Sequence, residues 1–293
     1  MDAFDYAAPQ GLQEALSLLT KANGNARPLA GGTDLIAQMK EKRRSPGLII
    51  NVKKIPELNV LTHDASGLRI GAAVSCTRIA TFGPVLAHYP ALSEACSLVG
   101  SYQIQNRAAL GGNFCNAAPS ADAVPPALCY GATLVLAGER GTREIPSEDF
   151  FSGPGETVLG SDEILVEIRI PTPEPGTGAS YLRFIPREEM DIAVAGVGAL
   201  VQLNPSDHTC ERARITLAAV APTPRRATIA EKFLQGKTLD EDTLVHAGEL
   251  ASDGASPISD VRGTAPYRLE LVKVLTRRTL EKACERALSQ EQT

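Results

Sequence analysis

A chain of 293 residues exceeds the usual size of one domain and predicts two or three compact units. A hydrophobic fraction of 43% with 22% charged residues is that of a soluble globular protein, and a formal net charge of −5 leaves no basic stripe for nucleic acid. The sequence has no apolar run of about 18 residues, which excludes a membrane span, and its acidic N-terminus lacks the apolar core of a secretory signal, so a cytoplasmic location is expected.

The first unit, residues 1–58, opens on GLQEALSLLTKA, in which Leu12, Ala15, Leu16 and Leu19 recur at helical spacing and Asn23-Gly24 supplies the stop. A short strand at residues 28–30 runs into Gly31-Gly32, and DLIAQMKEK reads as a helical turn capped by Thr33 or Asp34. LIINV, residues 48–52, is a short buried strand. The second unit, 59–178, mixes strands (GLRIGAAVS, ATLVLAG, EILVEIRIP) with the helical patterns TRIATFGPVLA and ALSEACSLVG, and ends on the proline-rich linker PTPEPGTG at 171–178. The third, 179–293, runs from strands (YLRFIP, DIAVAGVGALVQL, ARITLAAVA) into helices at 225–235, 240–252 and 265–288. That order predicts an α+β domain with helices on one face of an antiparallel sheet.

Familiar motifs fail along the chain. The GKT at Gly236 lacks the first glycine of a P-loop, since Glu231 stands there. Gly196-Val197-Gly198 lies inside an apolar strand pattern and reads as close strand packing. His63, His88, His208 and His246 form no metal-binding pair. Cys76, Cys96, Cys115, Cys129, Cys210 and Cys284 fit neither a zinc knuckle nor an iron–sulfur run and read as free thiols. The short basic groups Lys42-Arg43-Arg44, Arg225-Arg226 and Arg277-Arg278 read as solvated faces.

Two glycine-rich segments remain. PLAGGTDL, 28–35, sets a glycine pair between a strand and a helix start, where unpaired N–H groups suit a phosphate. ALGGNFCNAAPSAD, 109–122, has no obvious strand or helix character. Gly111 and Gly112 permit close backbone approach to a ligand, and Asn113, Ser120 and Asp122 offer polar groups along what reads as a loop. Asp122 also fits a helix N-cap.

At these segments the sequence resembles the FAD-binding medium subunits of the molybdenum hydroxylases, the family that includes xanthine dehydrogenase and carbon monoxide dehydrogenase. AGGTDLIAQMK is similar to the family's first flavin segment and LGGNFCNAAPSADAVPPAL to its second. DEILVEIRIP, YLRF before REEMDIAVAGVGA, and PYRLELVKVLTRRTLEKA follow in the family's order. The fold implied is α+β: a two-part FAD-binding domain of the vanillyl-alcohol-oxidase type, then a small α+β C-terminal domain.

The resemblance places Leu29, Ala30, Gly31, Gly32, Thr33, Asp34 and Leu35 around the FAD pyrophosphate. It sets Ala109, Gly111, Gly112, Asn113, Ser120 and Asp122 along the other side of the cofactor, with Asp122 an acceptor for the flavin's polar periphery or ribityl chain. Leu165 would pack near the isoalloxazine, and Arg183 stands where relatives often carry Lys. It further implies an electron-transfer subunit with no catalytic residue and no metal ligand of its own. A small [2Fe–2S] subunit and a large molybdopterin subunit would be its partners, in a dimer of heterotrimers, with NAD⁺ or another molecule as acceptor. An extra [4Fe–4S] cluster, which some relatives hold in a four-cysteine insertion, is not expected, since only Cys129 lies in that region. A self-contained flavin oxidoreductase and a flavin-free assembly subunit are the rival readings.

Overall fold

The computed structural model describes residues 1–187 and 190–290. The chain begins with β1 (Asp5–Ala7), α1 (Leu12–Lys21), β2 (Ala26–Leu29), α2 (Leu35–Lys40) and β3 (Leu48–Asn51). The three strands form a parallel sheet in the order β1-β3-β2. α1 buries Ala15, Leu16 and Leu19 against it, as the helical spacing predicts. It ends where Asn23 and Gly24 turn to φ of 46° and 85°, left-handed values that Asn and Gly tolerate best.

Next come β4 (Leu61–Asp64), β5 (Gly67–Gly71), α3 (Cys76–Ala80), α4 (Gly83–His88), α5 (Pro90–Ser97), α6 (Tyr102–Gln105), α7 (Leu110–Asn116) and α8 (Val124–Cys129). β6 (Thr133–Gly138), β7 (Gly141–Pro146), β8 (Phe151–Gly153), β9 (Glu156–Thr157) and β10 (Ile164–Ile170) follow. The main sheet is five-stranded and antiparallel, β4-β5-β10-β6-β7, with β8 and β9 as a separate pair. TRIATFGPVLA, expected as one helical pattern, is two helices. Pro84 in the first turn of α4 lacks the N–H that a continuous helix would use, and the chain breaks at Phe82.

The remainder is β11 (Thr177–Phe184), β12 (Ala195–Leu203), β13 (Cys210–Ala218), β14 (Arg225–Arg226), α9 (Thr228–Leu234), α10 (Glu241–Asp253) and α11 (Ala265–Gln290). The strands pair antiparallel in chain order, and β11 starts inside the expected linker, with Thr177 opposite Gln202. One face of this sheet carries the helices: a side chain at Gly178 would strike the Ala283 backbone of α11. The other face meets α8, because a side chain at Gly198 would press on Pro125 and Cys129. Gly196 and Gly198 are thus strand-packing glycines, as the sequence indicated. All six cysteines are free thiols.

Glu94, on α5, ties the last sheet to the preceding unit. Its Oε1 accepts from Lys282 Nζ at 2.5 Å and Arg286 Nη2 at 2.6 Å, both on α11, and its Oε2 accepts from Tyr181 N at 3.0 Å on β11. Burial pushes the Glu94 carboxyl up, but Arg286, Lys282 and the Tyr181 N–H outweigh it and hold the group below its ordinary value.

Candidate functional site

A cavity of about 430 Å³ opens between the parallel β1-β3-β2 unit and the second unit, within the size range of small-molecule pockets. Leu29, Ala30, Gly31, Gly32, Thr33, Asp34 and Leu35 line it from the first unit. Ala109, Gly111, Gly112 and Asn113 line it from the second, and Leu165 adds a buried apolar surface from β10. The register of β10 against β6 shifts between Leu165 and Glu167, a bulge of the kind that re-aims a side chain.

The local chain geometry leaves donors free at this cleft. The β2–β3 ladder ends at Leu29 opposite Asn51, and the first helical bond beyond it is Ile36 N to Gly32 O at 3.1 Å. The N–H groups of residues 31–35 lie between the two, in a turn that Gly32 makes at φ 76°. The stretch 109–122, expected as a loop, is instead largely helical. α7 spans 110–116 and its first bond is Asn113 N to Ala109 O at 3.0 Å, so the N–H groups of residues 110–112 precede any helical acceptor. Two glycines in seven residues hid this helix from propensity, and packing stabilises it: Leu110 and Phe114 are fully buried.

Gly31, Gly111 and Gly112 differ. A side chain at Gly31 would run into the Arg107 carbonyl, and one at Gly111 into the backbone of Ala72. At Gly112 a Cβ would meet nothing within 4 Å. Gly112 therefore faces open space at the cleft, and a backbone cradle with free N–H groups fits the pyrophosphate of a dinucleotide such as FAD.

Arg44, Gln38 and Arg27 also line the cleft, although the sequence does not place them at the cofactor. Arg44, expected on a solvated face, is half-buried there, and its Nε donates to Gln38 Oε1 at 2.8 Å. Gln38 Nε2 in turn donates to Asn116 Oδ1 at 2.8 Å, which links α2 to α7 across the two units. Arg27 also lines the cleft, and burial first, then Arg44, lowers its guanidinium pKa. Burial raises the Asp34 carboxyl, with Arg43 opposing. Isolated arginines and a single glutamine carry no spacing signal that would have found them.

Three residues expected at the cofactor do not line the cavity: Ser120, Asp122 and Arg183. Ser120 lies in the turn between α7 and α8. Asp122 is buried and does not cap α8, whose N-cap is Ala123. Its Oδ1 accepts from Tyr181 Oη at 2.8 Å and its Oδ2 from Arg183 Nη1 at 2.5 Å. Burial pushes the Asp122 carboxyl up to about 6 against the pull of Arg183 and Tyr181. Arg183 Nε is buried with no partner among the described residues.

Comparison with known proteins agrees with this geometry. Residues 2–173 match the FAD binding domain in molybdopterin dehydrogenase, and residues 180–283 the CO dehydrogenase flavoprotein C-terminal domain. Over 285 residues the chain is 34% identical to the xanthine dehydrogenase FAD-binding subunit of Escherichia coli O157:H7, covering 96% of this chain and 97% of that one. It is 35% identical over 285 residues to the carbon monoxide dehydrogenase medium chain of Afipia carboxidovorans, covering 97% and 98%. The fold aligns with a TM-score of 0.93, at 33% identity and with 97% and 98% coverage, to a chain of the carbon monoxide dehydrogenase from Hydrogenophaga pseudoflava that lacks the Mo-pyranopterin moiety of its molybdenum cofactor. Two glycine segments around one cleft, a matched FAD-binding domain and full-length relatives place this chain among the FAD-binding medium subunits of the molybdenum hydroxylase family, the flavoprotein components of oxidoreductases.

Proposed function

We propose that the chain is the electron-transfer subunit of a molybdenum hydroxylase working in the cytoplasm. It would take electrons from the [2Fe–2S] clusters of a small partner and pass them to NAD⁺ or another acceptor, while a large molybdopterin partner oxidises the substrate. Bound FAD supplies the exchange between one-electron and two-electron carriers. The chain's residues bind and orient it. The turn at residues 29–35 and the first turn of α7, with Ala109 and Asn113, present N–H and side-chain donors to the pyrophosphate, and Leu165 shields the ring from water. Asp122, Ser120 and Arg183 support the flavin end from beyond the cavity lining. The observation that carries this reading is the open space at Gly112 beside two runs of free N–H groups.

The test is to purify the assembly through a tag on this chain and to measure FAD, iron and molybdenum per chain. Stoichiometric FAD with co-eluting iron and molybdenum is expected, in an assembly of the mass of two heterotrimers. FAD without either metal would favour a self-contained flavoprotein, and metals without FAD would favour an assembly subunit. Reduction of the intact assembly by the large partner's substrate, followed by reoxidation with NAD⁺, quinones or oxygen in turn, identifies the acceptor.

A further inference from the structure

Lys53 lies two residues beyond β3, its backbone N–H held by Asn51 Oδ1 at 3.0 Å. Its ammonium crosses to the second unit, donating to Ala73 O at 2.8 Å and to Arg107 O at 3.2 Å. The Arg107 carbonyl is the one that a side chain at Gly31 would strike. From there the chain runs through Ala108, whose carbonyl accepts from Cys76 N at 2.9 Å, and Ala109, bridged antiparallel to Ser75, into Gly111 and Gly112. One cation thus braces, from behind the cavity lining, the point at which the two glycine segments touch.

We propose that Lys53 is a positioning residue for FAD: its charged ammonium holds the 107–112 segment against the Gly31–Asp34 turn and so sets the spacing of the two sets of N–H donors. The inference rests on FAD lying between those segments. The groups acting on Lys53 are Arg107, Arg78 on α3 and the Cys76 thiol, with Lys54 next to it in the chain, and among the described residues no carboxylate is one of them. Burial first, then Arg107, bring the ammonium down to about 8, with Cys76 opposing.

A lysine held below its ordinary value costs the empty fold stability at neutral pH, and that cost fades as pH rises from about 8 to the ordinary value. An anionic pyrophosphate between the glycine segments acts in the opposite direction, because it favours the charged ammonium. FAD affinity therefore falls as pH rises through about 8.

The experiment titrates the full chain with FAD, read by flavin fluorescence, from about pH 7 to 9 for wild type, Lys53→Met, Lys53→Arg and Gly112→Val. Lys53→Met is expected to bind about tenfold more weakly at neutral pH, the scale of one charge-assisted hydrogen bond. Wild-type affinity should fall severalfold across the range, whereas both Lys53 variants should stay flat. Wild-type affinity in Lys53→Met, or an unchanged pH slope in Lys53→Arg, overturns the proposal. If circular dichroism shows that Lys53→Met does not fold, the slope of Lys53→Arg against wild type decides. Undiminished binding in Gly112→Val would instead remove FAD from between the glycine segments, a failure distinct from that of the clamp.

Discussion

Gly31 and Gly111 sit one on each side of the cleft, and both are closed by the protein's own backbone; Gly112, one residue further along, faces open space. Gly31 lets the two units approach each other, Gly111 lets α7 pack on the Ala72 backbone within the second unit, and Gly112 lets something else approach them. A glycine pair in sequence mixes these two roles, which only the surroundings of each Cβ separate. The Asp122–Arg183 pair belongs with the closed group, since both side chains are buried and bonded to each other behind the cavity lining. Arg44 belongs with the open group, because it is half-buried at the cleft.

This division predicts which variants lose the fold and which lose only the cofactor. The largest effect is expected from Asp122→Ala, which leaves a buried guanidinium without its counter-charge and should cost about 4 kcal/mol of folding stability in denaturant unfolding. Gly31→Val presses a branched side chain onto the Arg107 carbonyl and should cost about 3 kcal/mol by the same measurement. Gly112→Val should leave stability within about 0.5 kcal/mol yet weaken FAD about 100-fold, equivalent to ~2.7 kcal/mol. A Gly112→Val chain that unfolds, or a Gly31→Val chain that is fully stable, would break the comparison. Arg44→Met sharpens it at the small end: a loss of about threefold in FAD affinity, ~0.7 kcal/mol, with unchanged thermal unfolding.

Much of this was legible in the sequence because the signals were local. The helical spacing in α1, the apolar runs of β3, β6 and β10, and the strand-then-helix order of the last unit each follow from residues adjacent in the chain. Of the twelve cleft-lining residues among those expected at the cofactor, eleven fall in the two glycine segments and Leu165 came from the family resemblance. What escaped depends on distant parts of the chain. α7 read as a loop because its glycines lower helix propensity, which burial of Leu110 and Phe114 overrides. Arg44 read as solvated because nothing near it in sequence reveals that Gln38 and the cleft lie beside it. Asp122 read as a ligand contact or a cap, while its partners are fifty-nine and sixty-one residues further on.

The bonds made by Glu94 have a consequence in time as well as in space. Lys282 and Arg286 follow it by 188 and 192 residues. At ordinary rates of translation that separation is roughly ten to forty seconds. Throughout that interval the nascent FAD-binding half carries an uncompensated carboxylate where α11 will dock. Docking of α11 then neutralises it, which couples synthesis of α11 to the seating of β11 on the half made first.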